Sequence, residues 1–153
     1  MLDDTAQPFN LGNTPISFSP DLIFNNILVA EWKGLTASLH TQYVGRQFLT
    51  NTGFESYREG TRDVSLMLDA YCTSNLDLSY TFTHIPHIKS LTIGASVYNL
   101  FNVKYESNGA AYTCVRSNGT GGAEAYQDVD WSSYAVFAAQ APANFLIHLS
   151  VRF

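Results

Sequence analysis

The chain has 153 residues, 46% of them hydrophobic, and a net charge of -5. Charged residues make up only 14%, against roughly 25% in typical soluble domains, and eight scattered Lys and Arg argue against nucleic acid, which requires clustered cations. No run approaches the roughly 18 consecutive apolar residues of a transmembrane helix. Residues 1–21, with Pro8, Gly12, Pro15 and Pro20, read as loop. A first strand is expected over 22–32. Lys33-Gly34 then forms a two-residue hairpin turn, because Gly supplies the positive φ that such turns need. A second strand is expected over 35–48, with Leu35, Ala37, Leu39 and Tyr43 on one face and Thr36, Ser38, His40 and Gln42 on the other.

A longer loop is expected over 49–63. Apolar residues then occupy even positions from Val64 to Phe82, and polar residues such as Asp69, Asp77 and Ser79 occupy odd ones. This predicts one long third strand over 64–83, bent near Cys72 to Asn75, since helical spacing is absent. A short turn with Pro86 leads to a fourth strand over 91–101. A loop over 102–143 holds Gly109 and the Asn118-Gly-Thr-Gly-Gly run. The fifth strand is expected over 144–153.

That last strand carries the clearest signal. Phe145, Ile147, Leu149, Val151 and Phe153 alternate with Leu146, His148, Ser150 and Arg152, and the chain stops on the aromatic. An apolar outer row, a polar inner row and a terminal aromatic at an interface fit a transmembrane β-barrel of the bacterial outer membrane. Aromatics at 14% fit its interfacial girdles. The connections alternate short, long, short, long. One assignment, with short turns periplasmic and long loops extracellular, accommodates all four. The fold class expected is therefore all-β, with antiparallel up-and-down transmembrane strands. About five strands cannot close a barrel, whose smallest single-chain form has about eight. The remainder of the wall must come from residues outside this sequence. The start, Met-Leu-Asp-Asp, has neither the basic nor the apolar region of an export signal, which leads to the same expectation.

Val97-Tyr98-Asn99-Leu100-Phe101-Asn102, followed by Lys104-Tyr105, resembles the v-x-N-L-F-N-x-x-Y element of TonB-dependent outer-membrane receptors. Gln140-Ala141-Pro142-Ala143-Asn144-Phe145 is similar to the family's lead-in to its last strand. Tyr43-Val44-Gly45-Arg46-Gln47-Phe48-Leu49-Thr50-Asn51-Thr52 is similar to a Y-V-G-x-Q-Y-L-D-N-T stretch of such receptors, especially Bacteroidetes-like ones. Leu76 to Phe82 resembles the strand after it. Together these cover most of residues 17–153. Ala143, Phe48 and Thr50 depart from the pattern, which weakens any claim about shared ligand contacts.

The resemblance implies a barrel of about 22 strands with a plugged lumen. The chain would be its C-terminal segment, with the plug and upstream strands lying elsewhere. It implies uptake of a scarce nutrient (a siderophore, haem, cobalamin or a glycan) driven by TonB, ExbB and ExbD through the plug. The other implied partners are outer-membrane lipid and the barrel-assembly machinery, which would engage the C-terminal strand. Asn99, Leu100, Phe101, Asn102, Tyr105 and Phe153 would be structural motif residues.

Plainer roles suit most of the polar candidates. Asn99 and Asn102 fit local backbone hydrogen bonding at a strand end better than a ligand site. His84 and His87 flank Pro86 and fit a solvated turn, because a metal pair needs further ligands. His40 and His148 fall on the polar face. Asp128 and Asp130 read as a solvated acidic loop, with acid–base or Ca²⁺ roles as alternatives. Tyr112, Tyr126, Trp131 and Tyr134, with Phe137, are candidate ligand-loop aromatics or loop packing. Cys72 and Cys114 lack CxxC spacing; a disulfide or two thiols both stay open. No Ser-His-Asp order, P-loop or dinucleotide fingerprint is present, so neither enzyme activity nor a cofactor is expected. The rival readings are a small or oligomeric outer-membrane barrel of another class and a soluble β-sandwich or lipocalin-like binding module.

Overall fold

The computed structural model describes residues 10–59, 62–112, 114–117, 123–126 and 135–153. The described secondary structure is all β, and every assigned pairing is antiparallel. The strands are β1 (Ile23–Trp32), β2 (Leu35–Val44), β3 (Gln47–Phe48), β4 (Ser56–Glu59), β5 (Arg62–Ser65), β6 (Met67–Leu68), β7 (Tyr71–Phe82), β8 (Ser90–Tyr98), β9 (Glu106–Ala111), β10 (Cys114–Ser117), β11 (Ala123–Tyr126), β12 (Ala135–Ala139) and β13 (Asn144–Arg152). They fall into two units.

One unit is a five-stranded sheet in the order β1-β2-β7-β8-β13. Each strand pairs with the next in chain order, an up-and-down path. The tight connection is the Lys33-Gly34 turn, with Trp32 opposite Leu35. Lys33 and Gly34 have φ of 46° and 87°, the left-handed pair that matches the twist of the flanking strands. Gly34 also meets the next strand. Its carbonyl accepts from the Thr81 N–H at 2.9 Å, and a Cβ there would lie 2.8 Å from the Thr81 carbonyl oxygen.

The sheet is open. Its two ends, β1 and β13, are solvent-exposed at every residue. The strands are long for a globular sheet: β1 and β2 have 10 residues and β7 has 12, against a common length of about 5–6.

The second unit is built from 46–69 and 106–138 with the N-terminal residues. These are the segments expected as two long loops, 49–63 and 102–143. Paired strands occur there instead: β4 with β5, β10 with β11, and β9 with β12, while β3 pairs with β6 on either side of the β4–β5 hairpin. Leu66 and Leu68 are fully buried here, and Leu49, Met67 and Gln47 are buried beside them. The Leu66 N–H donates to the Glu55 carbonyl, and its own carbonyl accepts from Leu49, both at 2.8 Å.

Three expected boundaries shift. The strand expected over 35–48 ends at Val44, and Gln47–Phe48 pairs separately with Met67–Leu68. Gly45 closes that end of the sheet, its N–H donating to the Leu22 carbonyl at 2.8 Å. The strand expected over 64–83 divides at Leu66 and again at Asp69-Ala70, while 71–82 runs unbroken through Cys72 to Asn75. The even-position apolar pattern continued across those breaks because Leu66 and Leu68 are core residues of a different unit. The strand expected over 91–101 stops at Tyr98, where Asn99 turns left-handed with φ 51°.

Candidate functional site

Paired residues in an antiparallel sheet share a face, so the register fixes what each side presents. One row runs Leu28, Leu39, Leu76, Val97, Phe145. The next runs Ala30, Ala37, Leu78, Ala95, Ile147, and the next Trp32, Leu35, Tyr80, Ile93, Leu149. Phe82, Leu91 and Val151 make a fourth. Together they form a continuous apolar face across all five strands. Aromatics stand toward both of its ends: Phe24 opposite Tyr43 at one, and Trp32, Tyr80 and Phe82 at the other. Tyr80 and Phe82 meet edge to face at 4.6 Å.

Among the described residues no core covers this face. Phe145 is 75% exposed, Ile147 68% and Trp32 68%. Within the sheet unit Val44 is the only buried hydrophobic residue among those described, and it belongs to the other face. The final strand alternates as expected, and its apolar row is not sealed in a compact core.

The opposite face is the more polar and is hydrogen-bonded, although Ile27, Val29 and Leu146 also stand on it. Ser96 Oγ donates to Asp77 Oδ1. Thr81 and Thr92 share a hydroxyl hydrogen bond of 2.9 Å. His40 and His148 stand on this face, as expected from their alternation. His148 also does something the sequence reading missed. Its imidazole covers Gly94, the residue opposite it, so closely that a Cβ at 94 would fall 2.1 Å from its Cε1. A glycine inside a strand pattern was the available signal, because it marks a close approach.

The Asn99 to Tyr105 motif caps the end of β8. Asn99 is 5% exposed. Its Nδ2 donates to the Val103 carbonyl at 2.9 Å and to the Ala141 carbonyl at 3.2 Å, and its Oδ1 accepts from the Val103 N–H at 2.9 Å. Its own N–H donates to Asn75 Oδ1 at 2.9 Å. The Leu100 N–H donates to the Ser74 carbonyl at 2.7 Å. Asn102, also at φ 51°, accepts from the Ala143 N–H at 3.0 Å. The two asparagines thus tie the end of β8 to the start of β13. Tyr105 stacks on Tyr71, with centroids 4.3 Å apart. Phe101 is 71% exposed and Phe153 80%.

Of the candidate ligand-loop aromatics, Tyr112 follows β9 and is 64% exposed. Tyr126 ends β11, opposite Cys114. Trp131 and Tyr134, like Asp128 and Asp130, lie outside the described residues. Cys72 is exposed on the apolar face of β7; the Cys114 side chain is outside the described residues. His84 and His87 are exposed in the turn between β7 and β8, where Ile85 and Ile88 form an isolated bridge. No group of three or more His, Cys, Asp or Glu that could hold a metal ion occurs among the described residues.

No protein-family model, curated protein or solved structure matches the chain.

Proposed function

We propose that this chain is part of the wall of a transmembrane β-barrel in a bacterial outer membrane, the C-terminal barrel segment of a TonB-dependent receptor that takes up a scarce nutrient. The observation that carries the reading is the uncovered apolar face, continuous over five strands that end in two unpaired edges. In water such a face and such edges are an aggregation liability. In a barrel wall the face meets lipid and the edges meet further strands. The dimensions agree: ten residues at about 3.3 Å each, tilted by about 40°, rise about 25 Å, the height of a barrel's apolar band.

The opposite polar face then lines the lumen against a plug supplied by other residues. The short Lys33-Gly34 and 83–89 connections face the periplasm. The hairpins of the second unit belong to the extracellular side, where a siderophore, haem, cobalamin or glycan would be met. The choice of a TonB-dependent receptor rests on the resemblance around Asn99–Asn102 and Tyr43–Thr52. TonB, ExbB and ExbD would act through the plug, and the barrel-assembly machinery through β13.

Fractionation of cells that make the protein tests this. It should float with outer membranes and resist extraction by carbonate. Recovery as a monodisperse protein in detergent-free buffer would overturn the membrane reading. A closed oligomer of this chain alone in detergent would replace the receptor with an oligomeric barrel.

A further inference from the structure

The short-turn end of the sheet carries a groove. It lies between the Lys33-Gly34 turn and the residues leaving β7, with a volume of about 550 Å³. Lys33, Tyr80, Thr81, Phe82, Thr83 and His84 line it, and no carboxylate does. Its two halves differ in chemistry. Tyr80 and Phe82 are the last rings of the apolar face, in contact with each other. Lys33, Thr83 and His84 are polar and exposed. The Lys33 ammonium sits 5.2 Å from the centroid of the Trp32 ring, an attraction that holds the charge at the rim. Thr83 Oγ1 and His84 Nδ1 are 3.0 Å apart. Further cations stand at this end: Lys89 and Arg152 are joined through the backbone, the Lys89 N–H donating to the Arg152 carbonyl at 2.8 Å. Glu31 stands on the opposite, polar face, paired with Thr36.

We propose, resting on the membrane reading above, that this groove binds the headgroup of an anionic glycerophospholipid. The phosphate meets the Lys33 ammonium and the Thr83 hydroxyl. The acyl chains run along the rows that end in Trp32, Tyr80 and Phe82. The continuity of the groove with the apolar face selects a lipid over free phosphate, which would satisfy the cation and leave the rings in water. A groove of this size is within the range that holds a small polar group with its apolar flank.

Trp32 supplies the readout. In the intact barrel, a background with every tryptophan but Trp32 replaced by Phe, Trp131 included, leaves Trp32 as the reporter. That protein is placed in phosphatidylcholine nanodiscs containing graded minor fractions of either brominated phosphatidylglycerol or brominated phosphatidylcholine. Both lipids should quench Trp32. Phosphatidylglycerol should do so at a roughly fivefold lower mole fraction, the selectivity expected of one lysine at an anionic lipid surface. Lys33→Gln should abolish the difference and leave phosphatidylcholine quenching unchanged. Equal quenching by both lipids in the Lys33 protein, or selectivity that survives Lys33→Gln, would overturn the headgroup site while the membrane reading stands. No quenching by either lipid would overturn both.

Discussion

Asn99 is held in a left-handed conformation that an L-residue adopts at a cost of about 1–2 kcal/mol, less for asparagine, whose side chain can bond locally. Three hydrogen bonds made by its side chain secure it, reaching Val103 on one side and Ala141 on the other. Alanine would lose all three, while water can reach the Val103 and Ala141 groups left behind, Val103 being half-buried and Ala141 exposed. The expected loss for Asn99→Ala is about 2 kcal/mol, since each hydrogen bond contributes about 0.5–1.5 kcal/mol net. Asn99→Gly loses the same bonds but tolerates φ 51°, so it should retain about 1 kcal/mol more than alanine. Guanidinium unfolding followed by far-ultraviolet circular dichroism measures both. An alanine variant as stable as the native protein would mean that the cap does not hold β8 to β13.

Strand β13 is where the environment of the sheet can be read most directly. Ile147 lies in the second of the four apolar rows and is 68% exposed. If that exposure were to water, lysine there would cost almost nothing. If it is to lipid, Ile147→Lys should cost about 2–4 kcal/mol, the penalty of a cation near the bilayer midplane, whereas Ser150→Lys on the polar face should cost well under that. Equal, small effects from the two substitutions in an unfolding titration would remove lipid from that face. The alternation that defines this contrast was legible in the sequence, because β8 and β13 keep a clean period of two and the Lys33-Gly34 turn sets the register of β1 on β2. Other elements were not legible, for physical reasons. Val64, Leu66, Leu68 and Ala70 continue the period that starts β7, but the first three pack in a separate unit. The strands at Ser56–Glu59 and Arg62–Ser65 are too short and polar to show a period. The contact of His148 with Gly94 joins residues whose pairing is fixed only by register. The cap at Asn99 was readable as a strand end, but its bond to Ala141 spans 42 positions.

At the scale of the whole molecule the question is what meets β1 and β13. An antiparallel edge directs alternate backbone N–H and C=O groups outward. With ten residues in β1 and nine in β13, about five N–H groups on each edge have no partner within the sheet. In hydrocarbon each such group costs several kcal/mol, so an open sheet of this kind cannot persist in a bilayer. In water the same edges, exposed and rich in Phe, Ile, Leu and Trp, would template pairing with other chains. Both environments therefore require strands beyond these five. On the proposed barrel reading, the intact protein should show this by hydrogen exchange. The outward-directed amides of β1 and β13 should be protected as strongly as the amides of β7, which pairs on both sides with β2 and β8. Mass spectrometry with peptide coverage of 23–32 and 144–152 reads the comparison directly. Rapid exchange of the outward half of those amides, alongside a protected β7, would mean that the sheet is complete as it stands, and the barrel would have to be abandoned.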